Sequence, residues 1–356
     1  MLVPGYIIYK KRTSNKKTTL YYRKEKAYME KNISRKSIAE IAGVSKTTVT
    51  RVLSDSESVS EETRKKVLDV IAELGYTPNK LAMNVSSNKN SNFVAMLVPD
   101  MSNYYYLEMF NRMVTAFEDC DYTISIYLVN ENNFSKILDK IIQNRVSAII
   151  NLAFTPFTEE YLKKTDCANI KVIHPGINED PVKINIDYSV AMRQAFESMK
   201  LKGVCDFKFL CGTDKSFLDD GRISSYIAIM KGYGEKMPED TLIWGNYPEN
   251  PALAEGYAAI KKLTESGKKV EGLFCLNDMM AIGAMKALRE SGYKVGENVF
   301  VVGFDNISLG QFSVPALTTI DSFIDVEAKQ YARYILGKSG KPQKIVSSLI
   351  ARKSAN

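Results

Sequence analysis

Histidine is almost missing from this chain: His174 stands alone among 356 residues. One imidazole cannot build a histidine-rich metal site, and most histidine-based acid–base machinery is excluded with it, whereas carboxylate and lysine chemistry stay open. The five cysteines, Cys120, Cys167, Cys205, Cys211 and Cys275, are scattered, odd in number and never spaced C-x-x-C. They read as reduced, mostly packed thiols and not as a disulfide framework or metal cluster. No apolar run reaches the roughly 18 residues of a membrane-spanning helix. The opening MLVPGYIIYKKR puts a short, proline-broken apolar run ahead of its positive charges, the reverse of a secretory signal, so a cytoplasmic location is expected. No G-x-G-x-x-G follows the first strand-like run and no P-loop occurs, which argues against a dinucleotide or nucleotide enzyme. No metal and no cofactor is expected.

What is present is ordinary in amount and uneven in placement. Apolar content of 45% and charged content of 25% suit a globular protein of two or three domains. The net charge is +7, and residues 1–32 carry nine basic side chains against Glu25 and Glu30, which is the whole of that excess. Residues 33–90 carry nine basic and seven acidic residues, leaving the remainder at −2. A basic front on a slightly acidic body points to an anionic partner at the front. Residues 1–32 by themselves read equally as a solvated basic tail.

The front holds three short helical patterns. Ser34 can cap a helix through Ala42 with Ile38 and Ile41 inward, and Gly43 can end it. Ser45 can cap a second helix to Leu53. Its Val49, Val52 and Leu53 fall on one face, and Lys46, Thr47, Thr50, Arg51 and Ser54 on the other. Ser60 can cap a third, with Val67, Leu68, Ile71 and Leu74 inward and Gly75 as its stop. Two helices joined by a three-residue turn containing glycine describe a helix-turn-helix unit. The polar face of the second helix then has a use: its side chains can donate to base edges and phosphates of the major groove, and Arg51 can fork to a guanine.

The stretch SIAEIAGVSKTTVTRVLSDSESVSEETRKKVLDVIAELGYTPNKLA resembles the DNA-binding region of the lactose- and galactose-repressor family. The shared pieces are A-x-x-A-G-V-S, T-V-x-R-V-L, V-S-x-x-T-R and L-G-Y-x-P-N, in order and in spacing. The resemblance implies that Lys46 and Thr47 set operator choice and that Arg51 reads guanine. It implies that Ser45, Thr48, Thr63, Tyr76 and Asn79 contact the DNA backbone. Thr50 stands where serine is usual, and Ser54 where asparagine is usual. Residues 79–92 are a polar linker by composition. In the family this segment is a hinge helix that wedges a leucine into the minor groove, and Val85 takes that place here. Family chains begin shortly before the first helix, so residues 1–28 are expected to be disordered or to lie upstream of a true start at Met29.

From Phe93 short apolar runs alternate with helical segments, among them FVAMLVP, TISIYLV, SAIINLA, FKFLCG, EGLFCLND and NVFVVGFD. Continuous apolar strands between helices indicate parallel sheets covered on both faces. The length is too great for one core of this kind, so two lobes are expected. They take about 93–187 with 321–336, and about 188–320 with 337–356. Many runs end in Asp100, Asn151, Asp187, Tyr247, Asn277, Asp278 or Asp305, and open α/β sheets bind ligands beyond those strand ends. Carboxylates, amides and an arginine beside aromatic rings suit a polyhydroxylated ligand.

LVPDMSNYYY, LNDMMAIGAMKALRESGYKVGENVFVVGFDN, PALTTI and LIARKS carry the same family resemblance into the body. It implies the fold of periplasmic sugar-binding proteins, with Asn103, Tyr105, Asn151, Asp187, Arg222, Tyr247, Asn277 and Asp305 at ligand-contacting positions. Ser225, Asn246 and the run NYYY depart from the family pattern, and His174 falls near the rim. The whole reads as a helix-turn-helix domain (33–78) followed by a two-lobed α/β domain (93–356). The expected function is a non-enzymatic, sequence-specific regulator of transcription, a repressor acting as a dimer on double-stranded operator DNA. A small effector, most simply a carbohydrate, controls it. A nucleobase or a protein corepressor is the alternative effector. A cytoplasmic solute-binding protein or sugar enzyme is the alternative of another class.

Overall fold

Ser34 shows how the first helix is started: its hydroxyl accepts the Ser37 N–H at 3.2 Å, and α1 (Arg35–Ala42) runs from there to Gly43 at φ 67°. The computed structural model describes residues 33–53, 58–77, 91–153, 155, 157–173, 184–338 and 343–356. Ser54, Asn79, Val85 and His174 lie outside these residues, as do the basic tail and most of the linker.

The described residues fall into two compact units, divided between positions 86 and 87. In the first, the Ser45 hydroxyl accepts the Thr48 N–H at 3.0 Å and opens α2 (Lys46–Leu53). Ser60 does the same for α3 (Glu61–Leu74), which stops at Gly75 with φ 61°. Ile38, Ile41, Val49, Val52, Val67, Val70 and Leu74 form the shared core. One sequence expectation is corrected: Leu68 is 47% exposed and Val70 is buried in its stead. A core this small covers only a narrow stripe of each helix, and 67, 70 and 74 keep the i, i+3, i+7 spacing that Leu68 leaves.

In the second unit, β1 (Phe93–Val98) pairs in parallel with β2 (Thr123–Leu128) and β3 (Ala148–Asn151), and β3 pairs with β4 (Lys171–Ile173). The sheet order is β2-β1-β3-β4. Val94, Met96 and Val98 face one apolar cluster, with Met109 and Met113 of α4 (Tyr104–Ala116). Ala95 and Leu97 face the other, with Leu138 and Ile141 of α5 (Phe134–Gln143). Two buried faces explain the unbroken apolar reading of this strand. Helix α6 (Glu159–Cys167) leads into β4.

The next segment is β5 (Ile186–Asp187), then α7 (Ser189–Leu201), β6 (Phe207–Leu210), α8 (Gly221–Gly232) and β7 (Leu242–Ile243). Then follow α9 (Ala252–Glu265), β8 (Gly272–Cys275), α10 (Asp278–Glu290), β9 (Phe300–Phe304), β10 (Thr318–Asp321), α11 (Ile324–Ile335), β11 (Ile345–Val346) and β12 (Ser348–Ile350). The second sheet has the order β12-β10-β9-β8-β6-β7, parallel except where β12 meets β10. Helix α11 returns to the first lobe, where Ile324, Ala328, Tyr331 and Ile335 join the cluster under β1. β5 and β11 pair in parallel as a two-stranded sheet of their own. No helix among the described residues is long and apolar enough to cross a membrane.

Helices α9 and α10 cross with backbone against backbone. A Cβ on Gly256 would lie 2.1 Å from the Met280 carbonyl oxygen, and one on Gly283 2.1 Å from that of Leu253. Gly283→Ala is therefore expected to lower the unfolding free energy by about 1–3 kcal/mol or more in urea titration, since neither backbone can yield as a side chain would. An unchanged midpoint would show that the crossing opens freely.

Candidate functional site

The outward face of α2 is cationic and rich in hydroxyls. Lys46, Thr47 and Arg51 are exposed, Thr48 and Thr50 are half-buried, and the segment KTTVTRVL contains no acid. Val49 and Val52 anchor the opposite side in the core, so the polar face is fixed in orientation. Several hydroxyls already have local work. Ser45 bonds the Thr48 hydroxyl at 2.8 Å, Thr50 donates to the Lys46 carbonyl at 3.1 Å, and Ser60 donates to Thr63 at 2.9 Å. Each hydroxyl keeps a lone pair for a further partner. Tyr76 packs its ring on the three-helix core.

The second cluster lies where the first lobe meets the second. Asn103, the N-cap of α4, donates its amide to the Tyr247 hydroxyl at 3.3 Å. Its neighbour Tyr105 donates across to Glu327 of α11 at 3.0 Å, and Tyr331 reaches the other Glu327 oxygen at 2.7 Å. Two further links cross between lobes: Ser308 N–H donates to Glu108 at 2.7 Å, and Ala252 N–H to Asp100 at 3.4 Å.

Arg222 sits at the start of α8. Its Nε and Nη2 fork onto Asp220 at 2.9 and 2.8 Å, and Nη1 donates to the Leu276 carbonyl at 2.9 Å. Its side chain is only 18% exposed. Burial favours the neutral form, but Asp220 outweighs it and holds the guanidinium well above its ordinary range. Asp305 ends β9 with φ 103° and is 7% exposed. Burial pushes its carboxyl well up, and Arg222 offsets only part of that. Burial likewise raises Glu327 against the pull of its tyrosine bonds, raises Tyr105, and pushes Tyr247 up to about 12.

Five of the eight expected ligand residues, Asn103, Tyr105, Arg222, Tyr247 and Asp305, thus join one buried layer through direct bonds or close charge. The other three have local engagements. Asn151 bridges the Thr155 carbonyl at 2.9 Å and the Ala153 N–H at 3.1 Å. Asn277 caps α10 through the Met280 N–H at 2.9 Å. Asp187 accepts from Ser189 and pairs with Lys344 at 2.7 Å, which holds its carboxyl far below the usual range.

Asp220, Glu327, Tyr106, Tyr188 and Tyr331 complete the layer and are not among the expected ligand residues. Asp220 stands two residues from Arg222, an available signal. Glu327 reads in sequence as one more acid in the first turn of a helix. A groove of about 480 Å³ between α7 and α8, lined by Ser189, Arg193, Ser225 and Tyr233, lies apart from this layer. Its Ser189 and Ser225 hydroxyls are spent on Asp187 and the Gly221 carbonyl.

Asp278 positions the loop that carries Asp305. It is wholly buried, accepts from the Thr319 hydroxyl at 2.6 Å and from the Ile307 N–H at 3.0 Å, and abuts Gly303, where a Cβ would meet it at 2.2 Å. Asp305 and Asn306 both adopt positive φ, a conformation that side chains other than glycine resist unless tied down. Among the described residues no group of three His, Cys, Asp or Glu side chains is placed to hold a metal ion.

Comparison with known proteins bears on both clusters. The family model of bacterial regulatory proteins, lacI family, matches residues 36–79, and that of the periplasmic binding protein-like domain matches residues 197–355. The HTH-type transcriptional repressor PurR of Pasteurella multocida (strain Pm70) is 30% identical over 295 residues, covering 80% of this chain and 85% of the relative. The crystal structure of the lac repressor dimer bound to operator and the anti-inducer ONPF shares the fold with a TM-score of 0.74 at 21% identity, covering 90% of this chain and 98% of that one. The transcriptional regulator CelR–cellobiose complex does so with a TM-score of 0.63 at 22% identity, covering 90% and 99%.

Burial pushes the Asp278 carboxyl up to about 8. Between the ordinary carboxylate range and that value the folded chain holds a proton that the unfolded chain has lost, so stability falls as pH rises across this window. Asp278→Asn is expected to flatten this decline between pH 5 and pH 9, measured by urea unfolding. An undiminished decline in the variant would assign it to other groups.

Proposed function

The chain belongs to the lacI family of bacterial regulatory proteins, and we propose that it is a cytoplasmic repressor that binds operator DNA as a dimer and takes a carbohydrate effector between its lobes. Its general class follows from the family: it is a DNA-binding regulator of transcription and not an enzyme. The effector is the open part of the proposal. One observation carries it: a buried arginine fork and a buried carboxylate share one layer with Tyr105, Tyr188 and Tyr247. Hydroxyls of a sugar need both donors and acceptors, and the C–H faces of its ring stack on tyrosine. A transcriptional regulator of the same fold is solved as a cellobiose complex, which supports the carbohydrate reading.

Asn103, Tyr105, Arg222, Tyr247 and Asp305 are proposed as the primary contacts, with Asn151, Asp187 and Asn277 shaping the strand ends. Ser45, Lys46, Thr47, Thr48, Thr50, Arg51, Thr63 and Tyr76 are proposed as the DNA face, joined by Asn79 and Val85. Leu107 and Val114 project from α4, and Phe312 and Val314 are 75% and 71% exposed. Apolar side chains of this size left in water are proposed to take part in the two-fold dimer contact.

Arg51→Ala is expected to lose specific binding while keeping weak binding to random DNA. One arginine–guanine fork is worth about 1–3 kcal/mol and a dimer has two. Fluorescence anisotropy on operator and random duplexes decides, and equal weakening on both would remove Arg51 from base reading.

Arg222→Lys keeps the charge but cannot fork to Asp220 while also holding the Leu276 carbonyl. It is expected to weaken effector binding about tenfold or more, the size of one lost charge-assisted hydrogen bond. A thermal-shift screen of sugars, sugar phosphates and purines supplies the effector, since a ligand at 100 times its Kd stabilises by about 2.7 kcal/mol. Calorimetry then compares the two proteins. Equal affinity would abandon the cleft assignment, and a response to purines alone would abandon the carbohydrate.

A further inference from the structure

We propose that the carbohydrate of this cleft is an amino sugar, whose ammonium group is held by Glu327 and Asp305. The inference rests on the carbohydrate reading above and adds a charge to it. The layer contains one guanidinium and three carboxylates. Arg222 spends three of its five donors within the protein, two on Asp220 and a third on a carbonyl. Its charge is therefore matched one to one by Asp220. Glu327 and Asp305 have no ion pair among the described residues, although they are only 5% and 7% exposed.

The two differ in what reaches them. Each Glu327 oxygen receives one tyrosine hydroxyl, Tyr105 from α4 and Tyr331 from its own helix. Two donors on two oxygens suit a carboxylate that acts as acceptor only, the ionised form. Each oxygen keeps a lone pair for a ligand. No hydrogen bond reaches the Asp305 carboxylate among the described residues, and its backbone is held at φ 103° by the loop that Asp278 anchors. An acceptor without a hydrogen bond, on an anchored loop, leaves a position for a donor.

Charges taken out of water are tolerated only when paired or neutralised. Burial raises both carboxyls above the ordinary range, so each needs a proton or a cation beside it. A ligand that brings its own cation removes that need. A divalent metal would do the same, but the described residues place no three carboxylates where one ion could be shared. A primary ammonium needs less: it is compact and has three donors to divide between two acids. The tyrosine rings and the Arg222–Asp220 fork remain for the sugar ring and its hydroxyls.

The test is calorimetry on the full chain at pH 7 with matched sets. These are glucose, glucosamine and N-acetylglucosamine, the galactose and mannose equivalents, and putrescine as an amine without a sugar. At least one amino sugar is expected to bind about tenfold or more tightly than both its parent and its N-acetyl form, the size of a charge-assisted hydrogen bond. Glu327→Gln keeps the shape and removes the charge, and should narrow that gap to within about threefold, under half the free energy of the tenfold gap. Its unfolding midpoint without ligand checks the fold, and if it does not fold the matched sets on the unmodified chain decide.

The proposal is overturned if the parent or N-acetyl sugar binds as tightly as the amine, a result that leaves the carbohydrate reading standing. It is also overturned if no amino sugar binds, or if putrescine binds equally well. Binding of purines with no sugar of any kind would remove the carbohydrate reading as well.

Discussion

A guanidinium buried at the end of a parallel sheet must have its donors met, and the rest of this cleft is arranged around that demand. Arg222 meets it with Asp220 two residues back and with the carbonyl that closes β8. The first partner fixes the start of α8, and the second ties that helix to the neighbouring strand. Asp305 can then stay unpaired within the same field, partly stabilised by Arg222 but not bonded to it. The open acceptor exists because the cation is already taken.

A second constraint keeps that acceptor aimed. Two successive residues of the loop after β9 adopt left-handed backbone, which costs energy unless the surroundings hold it. Asp278 does so from the first turn of α10, bonded to Thr319 on β10 and to Ile307 in the loop. Gly303 is required beneath it, because any Cβ there would strike the carboxylate. Strand, loop and helix are thus joined through one buried acid that never faces the ligand position.

Polar residues at helix starts divide into two kinds in this chain. Ser34, Ser45, Ser60 and Asn277 spend their side chains on the first backbone N–H groups of their own helices. Asn103 does this with its carbonyl oxygen, bonding Tyr105 N–H at 3.1 Å, yet still directs its amide to Tyr247. Asn103 thereby ties the start of α4 to the other lobe, whereas the Ser45 cap, among the described residues, bonds only within its own helix.

The three front helices were legible because caps, glycine stops and 3.6-residue spacing are local signals. Strands such as β1 (FVAMLV) and β9 (FVVGF) were legible because burial on both faces leaves no polar residue inside them. Arg222, Asp305 and Tyr105 were legible through family resemblance and their place at segment ends. Leu68 and Glu327 were not, and for the same reason. Whether a residue on a helix faces a partner depends on what packs there. Leu68 falls at the outer edge of the stripe and stays 47% exposed. For Glu327 the partner is Tyr105, 222 residues away in sequence. Helix periods and strand ends follow from the nearest few residues, so the sequence by itself determined them. The charge balance of the cleft is a sum over groups from separate segments, and only the tertiary structure decided it.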